Sequence, residues 1–303
     1  MTSRSKEGLR QVREDELNAL EDRLIRHLPH SFIVYSSVCL AARYGLHCLR
    51  PVTILIPADT RRSCFTVIRT LTSSGSHDIM VFWSLEEHTA EDVADYLSHT
   101  IDLNLGQHEF SISLPDILLP SLQSLKNIGS RPVRIQHKLH GHLYTFQEPS
   151  ILNTRQLKLL PEYQVSNLKE EDVSVIWKNW QFSSLSSENS LRDDIINFPS
   201  VGIRKRNLID SSTEELQEET QETLVSWIRT SKYGFMGSTF TLPQYRRRGL
   251  AGTATLILTR QLMQEGLLPA VMIEKNNTAS ISFHGDLGFV RQCALSMVAL
   301  LPV

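Results

Sequence analysis

The chain has 303 residues, 41 % of them hydrophobic and 21 % charged, with a formal net charge of −2. That composition suits two soluble globular domains, each able to bury a core, and the near-neutral balance argues against a general nucleic-acid binder. No apolar run reaches the ~18 residues of a membrane span, no secretory leader is recognisable, and the scattered Cys39, Cys48, Cys64 and Cys293 suggest neither a zinc ribbon nor a disulfide scaffold but reduced, intracellular thiols.

Residues 1–13 set Arg4, Lys6, Arg10 and Arg13 against Glu7 alone, a faintly presequence-like opening that Glu14, Asp15 and Glu16 end at once. Leucines at 17, 20, 24 and 28 predict a helix over 14–28, stopped by Pro29. Segments 32–40, 52–56 and 78–83 read as strands. A helix capped by Thr89 is expected over 89–98, a longer amphipathic helix over 114–128, and an alternating strand over 131–146. On that last strand His140 and His142 share a face and could offer two metal ligands, but no Cys or carboxylate stands beside them in the sequence, so no metal is expected.

The polar stretch 149–163 with Pro161 reads as the passage between domains, giving an N-terminal domain of 1–160 and a C-terminal domain of 161–303. Helices then follow over 171–180 and 190–197 and a strand over 200–203. Glu214, Glu215, Glu218, Glu219 and Glu222 crowd an insertion at 211–222 that reads as a solvated loop. Strands over 223–230 and 234–241 lead into the most informative stretch of the chain, Thr241-Leu-Pro-Gln-Tyr-Arg-Arg-Arg-Gly-Leu-Ala-Gly-Thr253. A sharp basic turn there opens a long helix near Leu250, so consecutive N–H groups point at one spot at the positive end of the helix, a ready pyrophosphate site. Gly249 permits a conformation closed to most side chains, and Ala251 keeps the wall thin. Further on, a strand over 270–273, Asn277, a helix over 278–286, the stop Gly288 and a new strand from Phe289 complete the pattern.

The spacing Arg246-x-x-Gly249-x-Ala251 resembles the acyl-CoA signature of the GNAT N-acyltransferase superfamily, and the strand, Asn277, helix and Gly288-Phe289 resemble the second half of its cofactor site. Within that superfamily the words Phe198-Pro-Ser-Val201, Val225-Ser-Trp227, Thr241-Leu-Pro-x-Tyr-Arg246 and Asn277-Thr-Ala-Ser-Ile-Ser282 resemble the glycine N-acyltransferases and their relatives. The resemblance implies an α/β (α+β) GNAT-type fold, a mixed sheet flanked by helices, whose N-terminal half is a degenerate copy without the cofactor motif. It implies an enzyme that moves an acyl group from acyl-CoA or acetyl-CoA to glycine or another small amino acid, by direct attack in a ternary complex. Another amine or protein acceptor, or a non-catalytic acyl-CoA-binding relative, are the alternatives. It also implies a monomer with small-molecule substrates, mitochondrial or alternatively cytoplasmic, with no metal, nucleic-acid or membrane partner.

Carried over residue by residue, the resemblance assigns the pyrophosphate to the turn Arg246, Arg247, Arg248, Gly249, Leu250, Ala251 and Gly252. It assigns the pantetheine arm and the thioester carbonyl to the backbone of residues 239–242, Thr241 and Leu242 included, and the far side of the cleft to Asn277. The position where many members carry a Tyr acid holds His284, whose imidazole could protonate the leaving thiolate. Where some relatives carry a Glu base stands Phe235, which cannot take a proton. Among the tryptophans, Trp83, Trp177, Trp180 and Trp227 read as packing residues.

Overall fold

The computed structural model describes residues 8–58, 63–71, 77–100, 110–125, 127–128, 131–154, 159–206 and 222–302. The chain divides into two compact units that are not contiguous stretches: 1–144 with 273–277 and 291–303, and 145–272 with 278–290. The acidic insertion lies outside the described residues apart from Glu222.

The first stretch of chain gives β1 (Leu9–Gln11), α1 (Leu17–Leu24), α2 (Phe32–Tyr44), β2 (Val52–Pro57), β3 (Thr66–Leu71), β4 (His77–Phe82), α3 (Ala90–Thr100), β5 (Phe110–Pro115), α4 (Leu119–Ser124), β6 (Asn127–Ile128) and β7 (Arg131–Phe146). There follow α5 (Pro149–Thr154), β8 (Tyr163–Ser166), α6 (Val173–Asn179), α7 (Glu188–Asn197), β9 (Ser200–Arg206), β10 (Glu222–Thr230), β11 (Met236–Thr241), α8 (Leu250–Gln264), β12 (Ala270–Glu274), α9 (Thr278–Asp286) and β13 (Phe289–Pro302). Apart from the two-residue β6 and the short α5, the order β-α-α-β-β-β-α-β-α-β occurs twice. One sheet runs β1-β2-β3-β4-β5-β13-β7-β12 with β6 paired to β7, and the other runs β11-β10-β9-β8. The larger sheet is mixed, β4 and β5 being parallel while β2–β3 and β3–β4 are antiparallel.

Two expected elements differ. Residues 32–40 form the start of helix α2 rather than a strand, and every residue from Phe32 to Ala41 is buried. A helix buried all round shows no polar face, so its 3.6-residue period is invisible and its β-branched content reads as strand. The second difference is at 114–128, where the expected long helix is the end of β5, a 3-10 turn and the six-residue α4. Phe110, Ile112 and Leu114 point into the core between Ser111 and Ser113, the period of two of a strand. The cap at Thr89 forms as expected: its Oγ1 accepts from Asp92 N–H at 3.2 Å and its own N–H donates to the Asp92 carboxylate at 3.0 Å. Among the described residues no helix is long and apolar enough to cross a membrane.

The second unit's core gathers Leu168, Val173, Ile176, Leu191, Ile195, Leu224 and Trp227, with Phe240 and Leu242 packed against it. Trp227 lies 5.2 Å from the Phe240 ring, so the core reaches directly under β11. Two ion pairs are sealed into this unit. Arg204 on β9 bonds Asp172, and Arg229 on β10 bonds Asp194 on α7 at 2.6 Å, both members of each pair about 5 % exposed or less. Asp194 also accepts the Lys232 N–H at 3.0 Å, while the Arg229 guanidinium sits 5.0 Å over Trp180. Burial pushes the Asp194 pKa upward, and Arg229 and Lys232 pull against it. This carboxylate therefore ties α7, β10 and the hairpin entering β11 together.

Removing one partner of such a pair strands a buried charge. Asp194→Ala is expected to cost about 3–5 kcal/mol in urea denaturation, and a volume-matched Asp194→Leu with Arg229→Met to recover most of that loss.

Candidate functional site

β11 is an edge strand, and its pairing with β10 is broken where it matters. Ser226 faces Thr241 and Trp227 faces Phe240, but Arg229 faces Gly237, so Ser238 and Thr239 oppose the single residue Ile228. That is a β-bulge, which bends a strand and turns backbone groups away from the ladder. Ser238 adopts φ +54° and its hydroxyl is buried without a hydrogen-bond partner. A non-glycine residue held left-handed is a strained position of the kind that clusters at functional sites. The sequence carries no signal for it beyond its place three residues before Thr241.

Below the bulge the strand is clamped again. Ser226 Oγ lies 2.8 Å from Thr241 Oγ1 and 2.9 Å from the Phe240 carbonyl, and the Leu242 N–H donates to Val225 at 2.9 Å. Leu242 thus spends its N–H on β10 and its side chain on the core, so of the expected backbone donors on 239–242 it is not a free one. A 3-10 turn at Pro243–Tyr245 follows. Arg247 then takes φ +63° and Gly249 φ +76°, and Gly249 is the N-cap of α8. Nothing lies within 4 Å of a Cβ placed on Gly249, so glycine is needed there for its backbone angle and not for room. Thr253 makes the bond back to Gly249 at 3.0 Å. The N–H groups of Leu250, Ala251 and Gly252 are accordingly the helix's orphan donors, at the positive end of a fifteen-residue helix. Gly252 faces Leu287, just past α9, at ordinary contact distance.

The three arginines do different work. Arg246 Nε donates to the Thr241 carbonyl at 3.1 Å and its guanidinium covers Phe240 at 5.5 Å, pinning the turn to the strand it leaves. Arg248 donates to Tyr163 Oη at 2.9 Å and to the Gln244 carbonyl at 3.4 Å, and it flanks Tyr245, which Lys205 approaches at 5.7 Å. The exposed Arg247 makes no hydrogen bond or ion pair among the described residues. Tyr163 and Lys205, far from the motif in sequence, are contributors that spacing could not reveal.

His284 sits on α9 in the same unit, 6 % exposed, between the rings of Phe283 at 4.9 Å and Phe289 at 5.5 Å. Its Nδ1 is 2.9 Å from the Ser280 carbonyl, which can only accept, so the proton is assigned to Nδ1. Nε2 is then a bare lone pair, buried and without a partner. Burial lowers the ring's pKa, with the Ser280 carbonyl acting weakly the other way. Neutral His284 therefore offers a proton acceptor, and could serve as the thiolate's acid only after taking up a proton. Gly288 ends α9 at φ +90°, where a Cβ would meet Glu148 and Ile151 at 2.8 Å. Asn277 N–H closes a turn onto the Glu274 carbonyl at 3.0 Å and belongs to the 273–277 segment of the first unit. His140, of the histidine pair, does have a carboxylate beside it: Asp116 holds its Nε2 at 2.8 Å and Ser296 Oγ at 2.7 Å.

The two copies differ at the corresponding strands. In the first, β4 and β5 are hydrogen-bonded in parallel, Asp78 opposite Ser111 and Met80 opposite Ser113. In the second, β11 and β12 end two different sheets and are not paired with each other among the described residues. After β4 the chain reads Ser84-Leu-Glu-Glu-His88, acidic where the second copy has its arginines and glycine. Among the described residues the second copy combines an open strand edge with a helix start whose first N–H groups have no backbone partner.

Residues 216–296 match the family model described as FR47-like protein. No curated protein sequence matches the chain. Among solved structures it is similar to a Drosophila protein from a structural genomics programme, at 15 % identity and TM-score 0.70 over 98 % of this chain and 99 % of that one. It is similar to a GCN5-related N-acetyltransferase from Kribbella flavida at 12 % identity and TM-score 0.54, covering 86 % and 94 %. A tandem GNAT protein from the clavulanic acid biosynthesis pathway aligns at 9 % identity and TM-score 0.54 over 97 % and 98 %. The fold is the mixed α/β GNAT fold, present in tandem.

Two measurements follow from this geometry. Gly249→Ala is expected to lose about 1–2 kcal/mol of stability through the left-handed angle alone, read by urea denaturation. Because the native His284 ring resists protonation, the unfolded chain binds the extra proton first. Stability should therefore fall as pH drops below the ordinary imidazole value of 6.5, and the difference between wild type and His284→Asn should carry that slope.

Proposed function

We propose that the second unit is an acyl-CoA-dependent N-acyltransferase whose acceptor is the amino group of glycine or another small amino acid. The observation that carries it is the join of β11 to α8: a bulged edge strand running straight into a left-handed turn and a helix start with free N–H groups. Orphan donors at a helix N-terminus fit a pyrophosphate, and the exposed Arg247 adds charge without having to break an existing bond. An edge strand can take a second, hydrogen-bonded strand-like ligand, which is what the amide-rich pantetheine arm of CoA presents. CoA thioesters supply an activated acyl carbon. The acceptor nitrogen attacks that carbon, the carbon–sulfur bond breaks, and the amine loses one proton.

Backbone donors at the bulge would stabilise the oxyanion as it forms. Neutral Nε2 of His284 is the chain's candidate for the amine's proton, directly or through water, which it would then return to the departing thiolate. A base of this kind answers the Phe235 substitution, since a proton acceptor need not stand on β11. Glycine as acceptor rests on the resemblance of the motif words and not on a pocket.

The second reading is an acyl-CoA binder without turnover, favoured by Phe235 and by the depth at which Nε2 is buried. Both readings are tested by free-CoA release from purified protein with a panel of acyl-CoAs, with and without glycine. The expected result is glycine-dependent release that falls about 100-fold or more in Arg246→Ala combined with Gly249→Val, as misplacement of the thioester would cause. Tight acyl-CoA binding with no release for any amine would replace the enzyme with the binder.

A further inference from the structure

The copy that lacks the cofactor motif holds a different constellation. His27, in the 3-10 turn after α1, Cys64, two residues before β3, and Glu87, in the turn after β4, come from segments more than twenty residues apart in sequence. A ring nitrogen, the thiol sulfur and a carboxylate oxygen all lie within 4.8 Å of one another. We propose that these three side chains bind a divalent zinc ion.

The donor set selects the ion. One sulfur, one imidazole nitrogen and one carboxylate oxygen suit a borderline-soft metal, whereas magnesium and calcium take oxygen ligands. Zinc bonds of about 2.0–2.3 Å to a tetrahedral centre would set the donors about 3.5 Å apart, which from separations within 4.8 Å asks for a contraction of no more than about 1.3 Å. Three protein ligands leave a fourth position for water. Binding takes the thiol as thiolate, and its proton passes to solvent.

Two ligands are held in place by the fold. Cys64 is 1 % exposed, its N–H donates to Glu87 Oε2 at 3.1 Å, and its carbonyl accepts from Thr66 Oγ1 at 3.1 Å. The next residue, Phe65, is fully buried and packs on Trp83 at 6.4 Å and on Tyr96 at 4.7 Å, which anchors the backbone next to Cys64. Ser63 Oγ bonds His88 Nε2 at 2.9 Å, linking the neighbours of Cys64 and Glu87 a second time. The His27 ring touches Phe82 at 5.5 Å and has no hydrogen bond among the described residues, so either nitrogen can turn to an ion. Glu87 is exposed, which gives the ion a way in.

Topology supplies an independent argument. Glu87 occupies the turn between the fourth strand and third helix of its copy, the same place that in the second copy is the basic glycine turn. A carboxylate there opposes a pyrophosphate and favours a cation.

The test uses the full-length chain stripped of metal by a chelator and titrated with Co2+, then Zn2+. One equivalent of Co2+ should raise a thiolate-to-cobalt charge-transfer band that Zn2+ abolishes. Cys64→Ser should lose the band, while Cys293→Ser keeps it. His27→Ala and Glu87→Gln should each weaken Zn2+ binding by more than the roughly 10–100-fold that loss of a supporting residue causes. Circular dichroism checks each fold, and the exposed Glu87→Gln remains informative if the buried Cys64 variant misfolds. A wild type that shows no thiolate band, a band that survives Cys64→Ser, or unchanged Zn2+ affinity in folded Glu87→Gln would each overturn the proposal.

Discussion

A helix that starts at the end of an edge strand cannot pair its own first N–H groups, and among the described residues no backbone group takes up those of Leu250, Ala251 and Gly252. The rest of the second unit is arranged around that unpaid set of donors. Arg247 and Gly249 take left-handed angles to swing the chain from β11 into α8, Arg246 holds the turn against Phe240 and the Thr241 carbonyl, and Arg248 leans on Tyr163. Trp227 supports the strand from beneath through Phe240. The result is a concentration of positive potential on a turn whose side chains mostly brace it, while its N–H groups stay unpaired among the described residues.

The bulge at Ser238 makes sense in the same frame. A regular strand would pair every β11 residue with β10 and aim its outer groups evenly. Two residues set against one bend the strand, and a left-handed Ser is tolerated because the flanking pairs, Thr230 with Met236 and Ser226 with Thr241, hold it on both sides. The hairpin that leads into it is fixed in turn by Asp194, whose two oxygens take the Arg229 guanidinium and the Lys232 N–H. Burying that carboxylate is costly unless both contacts are made, so the pair specifies the hairpin's position more than it adds stability.

The repeated element order gives the chain two such strand-to-helix joins, and they differ. Parallel pairing of β4 with β5 closes the first copy's strands, and Glu86 and Glu87 replace the arginines in its turn. The convergence of His27, Cys64 and Glu87 lies at that same turn.

What the sequence determined by itself was local. The turn at 246–252, the helix over 278–286, the stop at Gly288 and the strand from Phe289 are each set by short-range rules: a positive φ that glycine allows, a period of 3.6 or 2, an orphaned helix end. All of them stand where the spacing put them. Tertiary structure alone decided the rest. Helix α2 is buried on every side, so no period betrays it, and β5 loses its identity to two prolines and a following helical turn. The resemblance marked His284 as an acid; the Ser280 carbonyl one helical turn away that fixes its proton on Nδ1, and the rings of Phe283 and Phe289 that enclose it, are tertiary and local packing that the motif does not record. The partners of Arg248, Arg229 and Cys64 lie 85, 35 and 23 residues away. Pairings over such distances are chosen by which surfaces the core brings together, and no local pattern records them.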